Sequence, residues 1–131
     1  MIVPQSREAE EAVLGSVLIH PDSYYDLSEF LKAEDFYIHR HRWIWETFTR
    51  LQEKRIPIDS LTVIENLDQN GKLVEVGGPA YITQLINSVP SSLHAVSYGK
   101  SVEETAIRRR MLAAANQIAD AAYQEDVELK N

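Results

Sequence analysis

The sequence predicts an all-α fold, a compact multi-helix globule followed by a long projecting helix. Three observations carry this. Apolar residues recur at helical spacing through most of the chain. Period-two alternation is absent except at Lys72-Leu73-Val74-Glu75-Val76, the one strand candidate, which has no evident partner. From Ser91 to Gln124 there is no proline and only one glycine, Gly99. A helix of about 30 residues is roughly 45 Å long, longer than a compact domain of this size is wide, so part of it must project or find a partner.

Each element follows from local signals. Ser6 caps a first helix, with Glu8, Glu10 and Glu11 near its positive end and Ala9, Val13, Leu14, Val17 and Leu18 on its inner face. Gly15 inside that helix costs about 1 kcal/mol relative to alanine, and close approach of another helix is the simplest reason for it. Pro21 marks the end, Asp22 caps a short second helix carrying Tyr24, Leu27, Phe30 and Leu31, and Glu34-Asp35-Phe36-Tyr37 turns the chain. A third helix, His39 to Arg55, points Ile44, Phe48 and Leu51 inward and Arg40, Glu46, Arg50 and Lys54 outward, with Trp43 and Trp45 widening its apolar face. Pro57 breaks it. Asp59 caps a fourth helix with Leu61, Ile64 and Leu67 at its core, and Gly71 stops it. Gly77-Gly78-Pro79 opens a fifth with Tyr81, Ile82, Leu85 and Ile86, and Pro90 closes it. Ser91 or Ser92 then caps the long helix.

That helix carries two stripes. Ile107, Met111, Ala114, Ile118 and Ala121 follow i, i+4, i+7, i+11 and i+14, and Leu112, Ala115, Ala119 and Ala122 line an adjoining face. The alanines favour helix and let another backbone approach closely. A helix buried in one core is one reading of this pattern; an uninterrupted run beyond about 25 residues points instead to a hairpin, coiled coil or repeat.

Composition bounds the function. With 131 residues and 44% hydrophobic content, one core is expected. Absence of cysteine excludes disulfides and thiolate metal sites, and together with a start that does not read as a signal peptide it suits a cytoplasmic protein. The most apolar run, Ala12 to Ile19, is too short to span a bilayer, so no membrane role is expected. A formal net charge of -7 opposes non-specific binding to phosphate backbones.

No constellation supports catalysis. Gly99-Lys100-Ser101 looks like the end of a phosphate loop, but the required upstream glycine is replaced by His94 and no buried strand precedes it, so ordinary helix surface is expected. His39 and His41 lie near Glu34 and Asp35, yet residues two apart point to different sides of a helix, which argues for exposed or packed histidines over metal ligands. No nucleophile signature is present. Arg40, Arg42, Arg50, Lys54 and Arg55, with Arg108-Arg109-Arg110, leave open a free-standing helical nucleic-acid-binding domain, against the plainer reading that they pair with the many carboxylates.

Five motifs in order, Pro4-Gln5-Ser6-x-Glu8-Ala9-Glu10-x-x-Val13-Leu14-Gly15, Glu34-Asp35-Phe36-Tyr37 with His41, Pro57-Ile58-Asp59 with Thr62, Gly77-Gly78-x-x-Tyr81, and Glu103-Glu104 before Arg108-Arg109, cover nearly the whole chain. Together they resemble the N-terminal domain of the bacterial replicative DNA helicase, the DnaB family. The resemblance implies a globular subdomain over 1–90 and, over 91–131, the first arm of a helical hairpin with the start of its second arm at Glu125–Asn131. It further implies a collar in a hexamer built as a trimer of dimers, self-association through Ile107, Met111, Ala114 and Ala115, and docking of primase's C-terminal helicase-binding domain on Tyr81, Leu112 and Ile118. ATP, magnesium and most single-stranded DNA contact are implied for a motor domain outside this segment, leaving no catalytic, cofactor or metal residue here. The sequence departs from the family at Trp43-Ile44-Trp45, bulkier than usual, and at Ile56, where a loop glycine is typical.

Overall fold

A computed structural model describes residues 2–124, and among these the secondary structure is helical with no strand. Seven α-helices run in order: α1 (Arg7–Ile19), α2 (Ser23–Ser28), α3 (His39–Glu53), α4 (Ser60–Gln69), α5 (Leu73–Val76), α6 (Gly78–Asn87) and α7 (Ala95–Tyr123). Two 3-10 turns, Ala33–Asp35 and Ser92–His94, precede α3 and α7. The expected start of a second arm at Glu125–Asn131 lies outside the described residues.

Helix α1 is the centre of the fold. Ser6 accepts a hydrogen bond from the Ala9 amide at 3.2 Å, and α1 buries Val13, Leu14 and Val17 against α6 on one side and α7 on the other. A Cβ placed on Gly15 would lie 2.3 Å from the Leu85 carbonyl oxygen and 2.3 Å from Val89 Cγ2, so the glycine is what lets α6 approach. Trp45 lies inside the core, with ring centroids 5.1 Å from Tyr24, 5.4 Å from Phe36 and 5.8 Å from Phe48.

Several local expectations are corrected. Asp22 adopts helical backbone geometry and makes no side-chain cap. In α4, Asp59 does cap, accepting from the Thr62 amide at 2.8 Å, but the register it sets buries Val63, Asn66 and Leu67 and leaves Leu61 63% exposed. Lys72–Val76 is no strand: Gly71 at φ +70° and Gly77 at φ +109° close on it from both sides, and with no neighbouring strand the four residues Leu73–Val76 satisfy their backbone as a helical turn. The long helix begins at Ala95, because Ser91 caps the preceding 3-10 turn through the Leu93 amide.

Candidate partner-docking surface

Helix α7 divides into two unlike halves. Its proximal half is seated on the core through Ala95, Gly99, Val102 and Ala106, all buried. Gly99 is therefore no surface residue: a Cβ there would meet Leu27 Cδ2 at 2.5 Å and Phe30 Cζ at 3.0 Å. The tripeptide Gly99-Lys100-Ser101 is continuous helix, with the Lys100 ammonium 3.8 Å from the Phe30 ring centroid. Beyond Ala106 the helix leaves the globule, and apart from half-buried Arg109 the residues through Gln124 are exposed.

The predicted self-association and docking residues fall mostly on this bare half. Ile107 is 43%, Met111 66%, Leu112 44% and Ile118 71% exposed, and Ala114 and Ala115 are exposed as well. Tyr81 is placed differently. It lies on α6, which packs on α1, α4 and α5, and only 5% of its surface is accessible. Its hydroxyl sits 2.5 Å from His41 Nε2 and 3.3 Å from Glu11 Oε2, and the Arg40 guanidinium stacks 3.8 Å above its ring. Burial raises its pKa to about 12, with Glu11 pushing the same way and Arg40 opposing.

The group behind Tyr81 is a buried polar chain that the sequence reading did not identify. Glu10, fully buried, reaches away from its own helix and accepts from the Tyr37 amide at 2.8 Å and the Ile38 amide at 3.3 Å, so a carboxylate of α1 holds the two residues that lead into α3. The same carboxylate is 2.8 Å from Nδ1 of His41, itself fully buried. A signal for Glu10 existed. It stands at i relative to Leu14 and Val17 at i+4 and i+7, inside an apolar stripe where an acid requires a partner. His39 is exposed, and no group of three His, Asp or Glu side chains placed to hold a metal occurs among the described residues.

Most of the basic residues named above find partners within the chain, and Lys54 and Arg55 are exposed. Arg40 covers Tyr81, Arg42 donates to the Phe36 carbonyl at 2.6 Å, and Arg50 donates to Asn66 and Thr47 at 3.0 Å each. Arg108 pairs with Glu104 and Arg110 with Asp35, while Arg109 donates to two backbone carbonyls. Arg40, Arg42 and Arg50 are thus spent on contacts within the globule, while the Arg108–Glu104 pair and Arg110 stay at the surface. Among the described residues, no helix is long and apolar enough to cross a membrane.

Comparison with known proteins agrees with this architecture. The family profile described as the DnaB-like helicase N-terminal domain matches residues 2–104. The replicative DNA helicase DnaB of Geobacillus stearothermophilus is 37% identical over 128 residues, spanning 98% of this chain and 28% of that protein. The replicative DNA helicase DnaC of Bacillus subtilis is 38% identical over 128 residues, with 98% and 28% covered. The chain thus spans little more than a quarter of the curated relatives it matches. Among solved structures, the N-terminal domain of DnaB helicase from Mycobacterium tuberculosis superposes with a TM-score of 0.91 at 34% identity, covering 93% of this chain and 87% of that one. A structure described as a DnaB-like replicative helicase and its interactions with primase superposes with a TM-score of 0.79 at 30% identity, covering 88% of this chain and 27% of that one. The ordered motifs, the helical globule with its projecting α7 and these matches have one common meaning: the chain belongs to the DnaB-like helicase N-terminal domain family.

Proposed function

We propose that this chain is the noncatalytic collar portion of a replicative DNA helicase, which assembles helicase subunits and docks the C-terminal helicase-binding domain of primase. The observation that carries the reading is the bare half of α7, where Ile107, Met111, Leu112 and Ile118 face solvent on a helix whose root is locked in the core. Full burial of such a side chain from full exposure is worth about 1.5–3 kcal/mol, and covering these partly exposed ones about half of that each, so a second helix laid along this arm has a clear driving force. Ile107, Met111 and the small Ala114 and Ala115 suit close helix-on-helix pairing between subunits. Leu112 and Ile118 serve primase. Tyr81 contributes from beneath the surface, by joining α6 to α1 and α3. In the longer helicase, ATP and magnesium belong to a separate motor domain, which also makes the main single-stranded DNA contacts.

Calorimetric titration of this chain with the isolated C-terminal domain of primase tests the docking surface. Leu112→Ala and Ile118→Ala are each expected to weaken binding about tenfold or more, the effect of removing an aliphatic anchor worth over about 1.4 kcal/mol. Unchanged affinity in both variants, with helical content retained, would remove these residues from the docking site.

A further inference from the structure

The footing of α7 on the globule is shorter than the arm it carries. It runs from Ala95 to Ala106, about 17 Å of helix, through buried Ala95, Gly99, Val102 and Ala106 with the half-buried Tyr98 ring packed beside them. The exposed arm beyond Arg110 extends about 20 Å to Gln124, longer than its footing. The arm is a lever on this footing, so a small change in seating angle is magnified at its far end. A swing of 10° displaces the end of the arm by about 3.5 Å.

Two adjacent side chains brace the outer edge of this footing, and Arg109 is the one that reaches both neighbouring segments. Arg109 folds back from α7 and donates through Nη1 to the Pro4 carbonyl at 2.9 Å and through Nη2 to the Asp35 carbonyl at 2.7 Å. The Tyr37 ring centroid lies 5.3 Å from its guanidinium carbon. Arg110 alongside pairs with Asp35 Oδ1 at 3.0 Å, and the other oxygen of Asp35 accepts from the Lys32 amide at 2.9 Å, which ties that carboxylate to its own turn. Burial lowers the Arg109 pKa and Arg42 adds to this, while Glu10 and Asp35 act in the opposite direction. A guanidinium keeps its charge through such a shift, and its planar fork matches two fixed carbonyls that an ammonium could meet only one at a time. The segment before α1, the turn before α3 and the middle of α7 are thus joined at a single guanidinium.

We propose that Arg109 is the positioning residue that sets the angle at which the exposed arm of α7 leaves the globule, and so the placement of the partner surface on that arm. The consequence for primase rests on the docking reading above; the angle does not. Without the brace, α7 remains helical and rocks on its footing.

The chain has no cysteine, so nitroxide labels on Gln69→Cys in α4 and Ala122→Cys near the far end of α7, both exposed positions, report the angle as a single distance by pulsed electron resonance. Dilution with unlabelled protein removes distances between chains. Arg109→Leu is expected to broaden the distance distribution by about 3 Å or more, the displacement of a 10° swing, and Arg109→Lys to give an intermediate width. Arg108→Leu, which loses only a surface pair to Glu104, is expected to leave it unchanged. A distribution as narrow in Arg109→Leu as in the native chain overturns the proposal; if that variant does not fold, the same result in Arg109→Lys does so. Primase affinity of the same variants separates the two readings. A broadened distribution with native affinity keeps the role of Arg109 and counts against docking on the arm, whereas a narrow distribution with weakened affinity overturns the role of Arg109 and leaves docking in place.

Discussion

Tyr81 holds its proton where an ordinary tyrosine loses it. Burial, assisted by Glu11 and opposed by Arg40, lifts its pKa from 10.0 to about 12. The unfolded chain ionises this hydroxyl near pH 10 while the folded chain does not, so the folded state binds more protons through that interval. The stabilisation is complete below about pH 10 and is lost as pH rises toward 12, to a total of about 2–3 kcal/mol. Ultraviolet absorbance titration is expected to show a tyrosine component from Tyr81 that ionises near pH 12. Tyr81→Phe should abolish that component and flatten the alkaline loss of stability. Tyr81 was legible in the sequence as an apolar helix position, but its partners were not. His41 and Glu11 are 40 and 70 residues away along the chain, and only the packing of α1, α3 and α6 brings them together.

The two helical glycines show how an element is placed by what it meets. Alanine gains about 1 kcal/mol over glycine from helix propensity at either site, so the sign of each substitution rests on the collision. At Gly15 the added Cβ would strike the Leu85 carbonyl, which is backbone and cannot move without shifting α6; at Gly99 it meets the ends of Leu27, Phe30 and Leu31 side chains, which can turn aside. Chemical denaturation is expected to show Gly15→Ala losing about 2–3 kcal/mol and Gly99→Ala losing less, near the lower end of the about 1–3 kcal/mol typical of overpacking. Equal losses would mean that α6 yields as easily as a side chain. Element existence was legible wherever a long apolar period ran between clear breaks, as in α1, α3 and α6. The short element Leu73–Val76 was misread as a strand candidate because four residues hold both periods, and its two flanking glycines decided the outcome. In α4, the cap was legible but the burial was not, since which side of the helix meets α3 and α6 is a tertiary fact.

The whole molecule is a core with a lever attached. Hydrogen exchange followed by mass spectrometry is expected to show amides of 95–106 exchanging with global unfolding in dilute solution, and those of 112–123 exchanging orders of magnitude faster, since no tertiary contact protects an isolated helical arm. Raising the protein concentration should slow exchange over 107–118 if the arm pairs with a second copy. Uniform protection along α7 in a dilute monomer would show instead that the arm is stable unaided. Arg109 is the boundary between the two regimes, and the same experiment on Arg109→Leu should extend the fast-exchanging stretch toward Ala106.

By itself the sequence determined that this chain is all α, that its last helix is too long for its globule, and that two apolar stripes on that helix await a covering surface. Those are properties of composition, period and length, which act locally and survive in any packing. Only the tertiary structure decided which side chains the arm leaves bare, that Tyr81 is withheld from the surface by Glu11 and His41, and that Arg109 braces the arm against Pro4 and Asp35. The physical reason is range. A helix forms from neighbours three and four residues apart, whereas a buried carboxylate or a guanidinium finds its partner wherever the fold brings a complementary group within hydrogen-bond reach.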